Sequence, residues 1–297
     1  DAFTGVPLTT VVMNSGSVVF ATIFTGVNTI TSVTFDYAGA IPANSCLSVT
    51  NLTSVTIGNT ITSIGTYALS GTGLTGTITI PNSVLTIDDA AFYNCNGLTS
   101  VTLGNSLTTL NSHCFNSCSG LTSINFPNSI TSIGDQSFYG CSSLTTITIP
   151  DSVTSIGASA FIVCTGLTSI IFDGTPTLTS LSDNVFRYCA GVTSITIPDS
   201  VTNIGSYALG SCSGLTSITI PTSVTSIGSY AFISCIGLTS LTFTATSTLT
   251  TIAQEAFNGC TGLTGTQAIP DSVTSIGQSG FQSTNITSFT FGAGSQL

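Results

Sequence analysis

Positive charge is almost missing from this chain. Its 297 residues include no lysine, one arginine (Arg187) and one histidine (His113). The formal net charge is -10, and charged residues make up 4% of the sequence, against about 25% in an average soluble protein. Nucleic-acid binding is excluded on this ground, because phosphate contacts need lysine and arginine. Long hydrophobic runs are missing as well. The longest apolar stretches, such as Val18 to Phe24, are short and interrupted by threonine, far from the ~18 consecutive apolar residues of a spanning helix, so no membrane insertion is expected. Disorder would need low hydrophobicity alongside unusual charge. Here 41% of the residues are apolar and they recur at strict spacing, so the chain is expected to fold.

What is present is a repeat, and internal repetition decides the fold before any local feature does. The clearest units are Pro150 to Gly157 followed by Ala160-Phe161-x-x-Cys164-x-Gly-Leu167, and Pro221 to Gly228 followed by Ala231-Phe232-x-x-Cys235-x-Gly-Leu238. With cysteine as phase marker the register runs Cys95, Cys118, Cys141, Cys164, Cys189, Cys212, Cys235, Cys260, at intervals of 23, 23, 23, 25, 23, 23 and 25 residues. Thr284 and Thr72 continue it outward, and Cys46, Val27 and Val6 are placed in the same phase, for thirteen positions. Those first intervals are uneven, so the chain reads as one solenoid over 1–297 with irregular N-terminal turns at 1–57 and regular repeats at 58–297.

The repeat explains the missing charge. Equivalent residues of successive turns stack about 4.8 Å apart, and directly opposed like charges destabilise a sheet. Serine and threonine occupy such a ladder neutrally. The pattern Ile-Pro-Asp/Asn-Ser-Val-Thr-Ser-Ile-Gly-x-x-Ala-Phe-x-x-Cys-x-Gly-Leu-Thr-Ser-Ile resembles the BspA-like (Treponema pallidum-type) leucine-rich repeats of bacterial and protist surface proteins. The resemblance implies a cell-surface or extracellular place and a part in adhesion and protein interaction.

Each turn is expected to hold two extended pieces. Leu215 to Ile220 alternates, with Ile218 and Ile220 inward and Ser217 and Thr219 outward, the period of a half-buried strand. Val224 to Gly228 forms the second piece, with Val224 and Ile227 inward. Between them Ala231-Phe232-x-x-Cys235 reads as a short helical or 3-10 plug, and Pro221 and Gly228 mark the corners. The expected fold class is a β-rich, leucine-rich-repeat-like, right-handed stack of about thirteen turns of about 23 residues, in which neighbours bury each other's apolar faces.

Candidate chemistry is sparse. Ten cysteines could signal disulfides or zinc, but zinc sites use close pairs and the only close pair is Cys114 and Cys118. The rest recur once per turn beside phenylalanine and leucine, as buried thiols do. His113 beside Cys114 lacks the third partner and oxyanion site of a nucleophilic centre. Asp151, Asp199 and Asp271 follow corner prolines, where Asn82, Asn128 and Thr222 stand in other turns, which points to turn-stabilising side chains and not to calcium. No catalytic residue, metal site or cofactor is expected, and the chain is not expected to be an enzyme. Asn51-Leu-Thr53 and Asn285-Ile-Thr287 are N-glycosylation sequons.

Two surface features remain. Thr62, Thr108, Thr131, Thr154, Thr179, Thr202, Thr225, Thr250 and Thr274 share one outward position, a neutral array suited to ice or glycans and equally to strand formation. Neither end shows a polar cap. Phe3, Leu8 and Val11 read as the second half of a turn, and Phe289, Phe291 and Leu297 as a strand with a shortened first half, so head-to-tail contact between copies would build a filament. The first residue, Asp1, reads as the start of a processed product or an excised segment, and the single basic cleavage site at Arg187 suits extracellular life. The function expected is a non-enzymatic extracellular or cell-surface scaffold for protein interaction or adhesion, with filament self-assembly; the alternative is an ice- or glycan-binding module. Expected partners are itself, other surface proteins or glycans.

Overall fold

The structure, a computed structural model, describes residues 6–15, 27–295 and 297. These fall into two compact units, Asp1–Leu144 and Thr145–Leu297. Both are built as parallel β-solenoid turns of about 23 residues, about twelve in all, and the described residues contain no helix. The turns follow a common logic. A longer strand leads to a corner, often a proline, then to a short strand and an irregular plug that returns the chain to the next long strand.

In the first unit the long strands Thr10–Met13, Ser32–Phe35 and Ser54–Ile57 form one sheet, and Gly76–Thr79, Leu98–Thr102 and Ser123–Asn125 another. Short strands from Gly39–Ile41 through Ile61–Ile64, Thr86–Ile87 and Thr109–Leu110 to Ser132–Ile133 run beside them. In the second unit Thr146–Ile149 pairs with Ser169–Phe172, Ser217–Ile220 with Ser240–Phe243, and Thr264–Ile269 with Asn285–Phe291. The Ser217 pairing sets Ile218 against Leu241 and Thr219 against Thr242, so like residues stack on like, as the sequence period requires.

The core is a set of columns. Phe92 stacks on Phe115 at 5.1 Å and Phe115 on Phe138 at 5.6 Å; in the second unit Phe232 stacks on Phe257 at 5.0 Å. All are fully buried, each contributing about 1.5–3 kcal/mol from the area removed from water. The glycine before each core leucine allows this spacing. A Cβ at Gly237 would lie 2.4 Å from the Ser213 carbonyl oxygen of the turn beneath.

The plug is not helical, which corrects the sequence expectation. Ala90 and Asn94 flank Phe92 and both have positive φ, and the pairs Tyr207/Ser211 and Tyr230/Ser234 repeat this around Leu209 and Phe232. Alternate amides then point along the stack: Ala90 N donates to Ser112 O at 2.9 Å, Phe92 N to Cys114 O at 2.9 Å, and Asn94 N to Asn116 O at 2.8 Å. A helix would satisfy those amides internally and leave the neighbouring turn's carbonyls without donors. Left-handed geometry costs about 1–2 kcal/mol per non-glycine residue, and the inter-turn hydrogen bonds with the buried ring offset it.

The same pattern moves one register assignment. Cys46 N donates to Ala68 O, as Leu69 N does to Ala91 O, and Asn44 and Ser48 on either side have positive φ. Cys46 therefore occupies the phenylalanine position. Val49, whose amide donates to Cys46 O at 3.1 Å, takes the cysteine phase, and the apparent irregularity at this turn disappears.

Candidate interaction face

The nine threonines predicted as one outward column are all exposed. Five of them donate their hydroxyls along the stack. Thr131 Oγ1 donates to the Thr108 carbonyl at 3.2 Å, Thr202 to Thr179 at 3.2 Å, Thr225 to Thr202 at 3.1 Å, Thr250 to Thr225 at 3.0 Å and Thr274 to Thr250 at 3.3 Å. The same carbonyls accept the threonine amides, at 2.8 to 2.9 Å. A second column, missed in the sequence, behaves identically: Thr122 donates to Thr99, Thr168 to Thr145, Thr216 to Thr193 and Thr239 to Thr216, at 3.0 to 3.1 Å. The residue following each core leucine was the available signal.

All ten cysteines are buried and none forms a disulfide. Most thiols of the cysteine column donate along the ladder. Cys118 Sγ donates to Phe92 O at 3.1 Å, Cys212 to Phe186 O at 3.2 Å, and Cys260 to Phe232 O at 3.0 Å. Where threonine replaces cysteine a hydroxyl donates instead, Thr284 to Phe281 O at 2.9 Å. The position wants a small donor with an apolar body, and burial pushes the Cys141 and Cys212 thiols up to about 12. Cys114 lies at the alanine position with its Sγ 3.6 Å from the carbonyls of Ile87 and Asp88, and burial holds it protonated. His113 beside it sits at positive φ, on the plug edge.

Arg187 stacks its guanidinium 4.1 Å from the Tyr207 ring centroid and 4.7 Å from that of Tyr188, and Nη1 donates to Asn184 at 3.2 Å. Corner Asx side chains cap the following turn: Asn82 Oδ1 accepts the Asn105 amide at 2.8 Å, and Asp271 Oδ2 accepts that of Gly294 at 3.2 Å. Among the described residues no group of three or more His, Cys, Asp or Glu could hold a metal ion. The sequon asparagines are exposed and donate across turns, Asn51 to Asn28 O and Asn285 to Thr261 O.

Of the end residues, Phe3 lies outside the described residues. Leu8 and Val11 are half-buried, Val11 within the strand Thr10–Met13. Phe289 and Phe291 are exposed, their rings 6.5 Å apart, and Leu297 is exposed.

Four surface grooves open in front of the long strands and their proline corners, one in the first unit and three in the second. Their linings mix hydroxyls, carboxamides and main chain with aliphatic residues, prolines and, in two of them, Phe172 or Phe243, and Asp199 and Asp271 are the charged members.

A model of the BspA type leucine rich repeat region matches residues 1–96, 71–190 and 179–296. The chain belongs to the BspA-type leucine-rich repeat family. Solved structures agree on the fold. A leucine-rich repeat protein from Bacteroides ovatus is 24% identical over 94% of this chain and 88% of its own, with a TM-score of 0.54. A leucine-rich cell surface protein from Faecalibacterium prausnitzii is 25% identical over 96% and 88%, with a TM-score of 0.55. The pneumococcal vaccine antigen PcpA is 20% identical over 89% of this chain and 63% of its own, with a TM-score of 0.53. No curated protein matches. The BspA-type repeat is a scaffold, and no helix among the described residues is long and apolar enough to cross a membrane.

Proposed function

We propose that the chain is a non-enzymatic extracellular or cell-surface scaffold that binds partners, in protein interaction or adhesion, through the outward face of its long strands. The observation that carries this reading is the concentration of grooves on that face, while the threonine hydroxyls flanking the strands are committed as donors to the carbonyl ladder. A similar protein of F. prausnitzii is a cell surface protein, which supports the location. Head-to-tail stacking of copies is a finer part of the proposal, supported by the exposed Phe289 and Phe291 on the outer strand of the Asn285–Phe291 pair. Of the alternative, the glycan half is favoured by the hydroxyl-lined grooves. Ice binding gains little from the five hydroxyls whose protons go to the preceding turn, and the absence of thermal hysteresis would remove it.

Adhesion of chain-coated beads to protein-coated and glycan-coated surfaces tests the face. Thr148→Arg with Thr219→Arg places cations among the exposed threonines of the long strands and should lower adhesion at least tenfold. Thr202→Arg with Thr225→Arg, on the short-strand side, should not. Equal responses would show that the face is not the working surface. Sedimentation across a concentration series tests stacking: growth abolished by Phe291→Asp supports it, and a monomer at every concentration removes it.

A further inference from the structure

Two turns break the repeat in the same way. Leu74-Thr-Gly76-Thr-Ile78 and Leu263-Thr-Gly265-Thr-Gln267 hold one more residue between the inward positions than Leu215-Thr-Ser-Ile218 does. Both glycines adopt φ of +72°, the left-handed value that lets a strand bulge. The register slips between Gly76 and Thr77 and between Gly265 and Thr266. On the side facing the preceding turn the long-strand ladder is interrupted: Ser54–Ile57 and Gly76–Thr79 belong to different sheets, as do Ser240–Phe243 and Thr264–Ile269. In the second case Gln267 replaces the usual aliphatic residue and its Nε2 donates to the Leu241 carbonyl at 3.2 Å, supplying by side chain what the interrupted ladder omits.

Of the four grooves, the two larger lie at these turns. One of about 950 Å³ is lined by Thr77, Thr79, Asn82 and Ser83, and one of about 600 Å³ by Thr266, Gln267, Ala268 and Ser272. Both volumes fall in the range that suits small ligands, about 300–1,000 Å³. An independent observation marks the same places. In regular turns the corner serine donates back one turn, Ser200 to Leu178 O and Ser223 to Val201 O, both at 2.7 Å. Ser83 and Ser272 are the corner serines of the two bulged turns, and their buried hydroxyls have no partner. A buried unpartnered hydroxyl costs about 1–3 kcal/mol, and turning the serine side chain toward the groove would let a ligand hydroxyl satisfy it.

We propose that the two bulged turns form a matched pair of binding sites for neutral oligosaccharide, one in each unit. Anionic ligands meet no cation in either lining and a chain of net charge -10. Cationic ligands find no carboxylate in the larger groove, and the Asp271 carboxylate in the smaller one already accepts the Gly294 amide. What the two linings share is threonine and serine hydroxyls, carboxamides and main chain, which pair with sugar hydroxyls, beside aliphatic residues and a proline that suit the C–H faces of a sugar ring. This assignment deepens the proposed scaffold function by naming a ligand class and two sites on its face.

The test is calorimetric titration of the whole chain with neutral tetrasaccharides (α-glucan, β-glucan, β-galactan and α-mannan) and with sialylated and sulfated glycans. At least one neutral glycan should bind at two per chain, and more tightly than any acidic one. Thr79→Arg should reduce the stoichiometry to one, and Thr79→Arg with Ala268→Arg should weaken binding at least tenfold at both sites. Ser83→Ala with Ser272→Ala keeps the fold testable, since no hydrogen bond is lost, and should weaken binding about fivefold with unchanged melting. Failure of every neutral glycan at millimolar concentration, preference for acidic glycans, or binding that survives the double arginine variant overturns the proposal. If bead adhesion is still lost in Thr148→Arg with Thr219→Arg, the scaffold reading stands without it.

Discussion

The regular turns of the second unit and the two bulged turns are made of the same residues and differ by one inserted position. In many regular turns amides, threonine hydroxyls, thiols and the corner serine all donate along the stack. In a bulged turn the extra residue displaces the strand, the ladder to the preceding turn lapses, and the corner serine is stranded. Of the four grooves the two larger lie at the bulged turns and the two smaller at turns without a bulge. A solenoid is stable because neighbours are alike, and the bulge is one way of making two neighbours unlike.

Alkaline pH should strain the regular turns most. Cys141 and Cys212 are raised by burial from 9.0 to about 12. The unfolded chain ionises such thiols near pH 9 while the folded chain keeps the proton. Stability is full below pH 9 and falls as pH rises toward 12, by up to about 1.4 kcal/mol per pH unit for each thiol. Denaturant midpoints from pH 8 to 11 check this, and a midpoint constant with pH would show the thiols are not buried as described.

Next in size is the ring column. Phe161 is fully buried and stacks on Phe186 at 5.6 Å; Phe161→Ala should cost about 3–5 kcal/mol. Because contacts are with nearest neighbours, hydrogen exchange should show the loss concentrated in adjoining turns. An unaltered melting curve would contradict the burial. Gly265→Ala probes the bulge itself. A Cβ there meets open space, so the cost is conformational alone, about 1–2 kcal/mol.

The smallest effect separates the two kinds of turn most directly. Ser223→Ala removes a 2.7 Å hydrogen bond to Val201 O and should cost about 1 kcal/mol. Ser83→Ala removes a hydroxyl without a partner and should leave stability unchanged or slightly raised. Equal costs would mean that the corner of the bulged turn is as well satisfied as a regular one.

Much of this molecule was legible in its spacing. The 23-residue phase, the inward Ile218, Ile220, Val224 and Ile227 and the buried cysteine ladder follow from period and side-chain size. The plug was misread because Ala-Phe-x-x-Cys has helical spacing. The left-handed residues Ala90 and Asn94 are imposed by the neighbouring turn's carbonyls, those of Ser112 and Asn116, which lie 22 residues away in sequence. Cys46 was misplaced because chemistry was used as the phase marker, whereas the hydrogen bond to Ala68 O assigns it to the phenylalanine column. The outward threonines were visible as a column, but nothing local tells a free hydroxyl from one donated to the turn before. Leu-Thr-Gly-Thr stood in the sequence twice; the left-handed glycine was the signal that could have been followed.

By itself the sequence determined the period, the two-strand turn, the identity of the core columns and the near-absence of charge. Each depends only on a residue type recurring at fixed intervals, and stacking then repeats one choice many times. Tertiary structure alone decided how the plug's backbone runs, which hydroxyls and thiols are engaged, and where the ladder lapses. Those depend on geometry between turns, where a shift of one residue separates a donor from its acceptor while leaving composition and hydrophobic pattern almost unchanged.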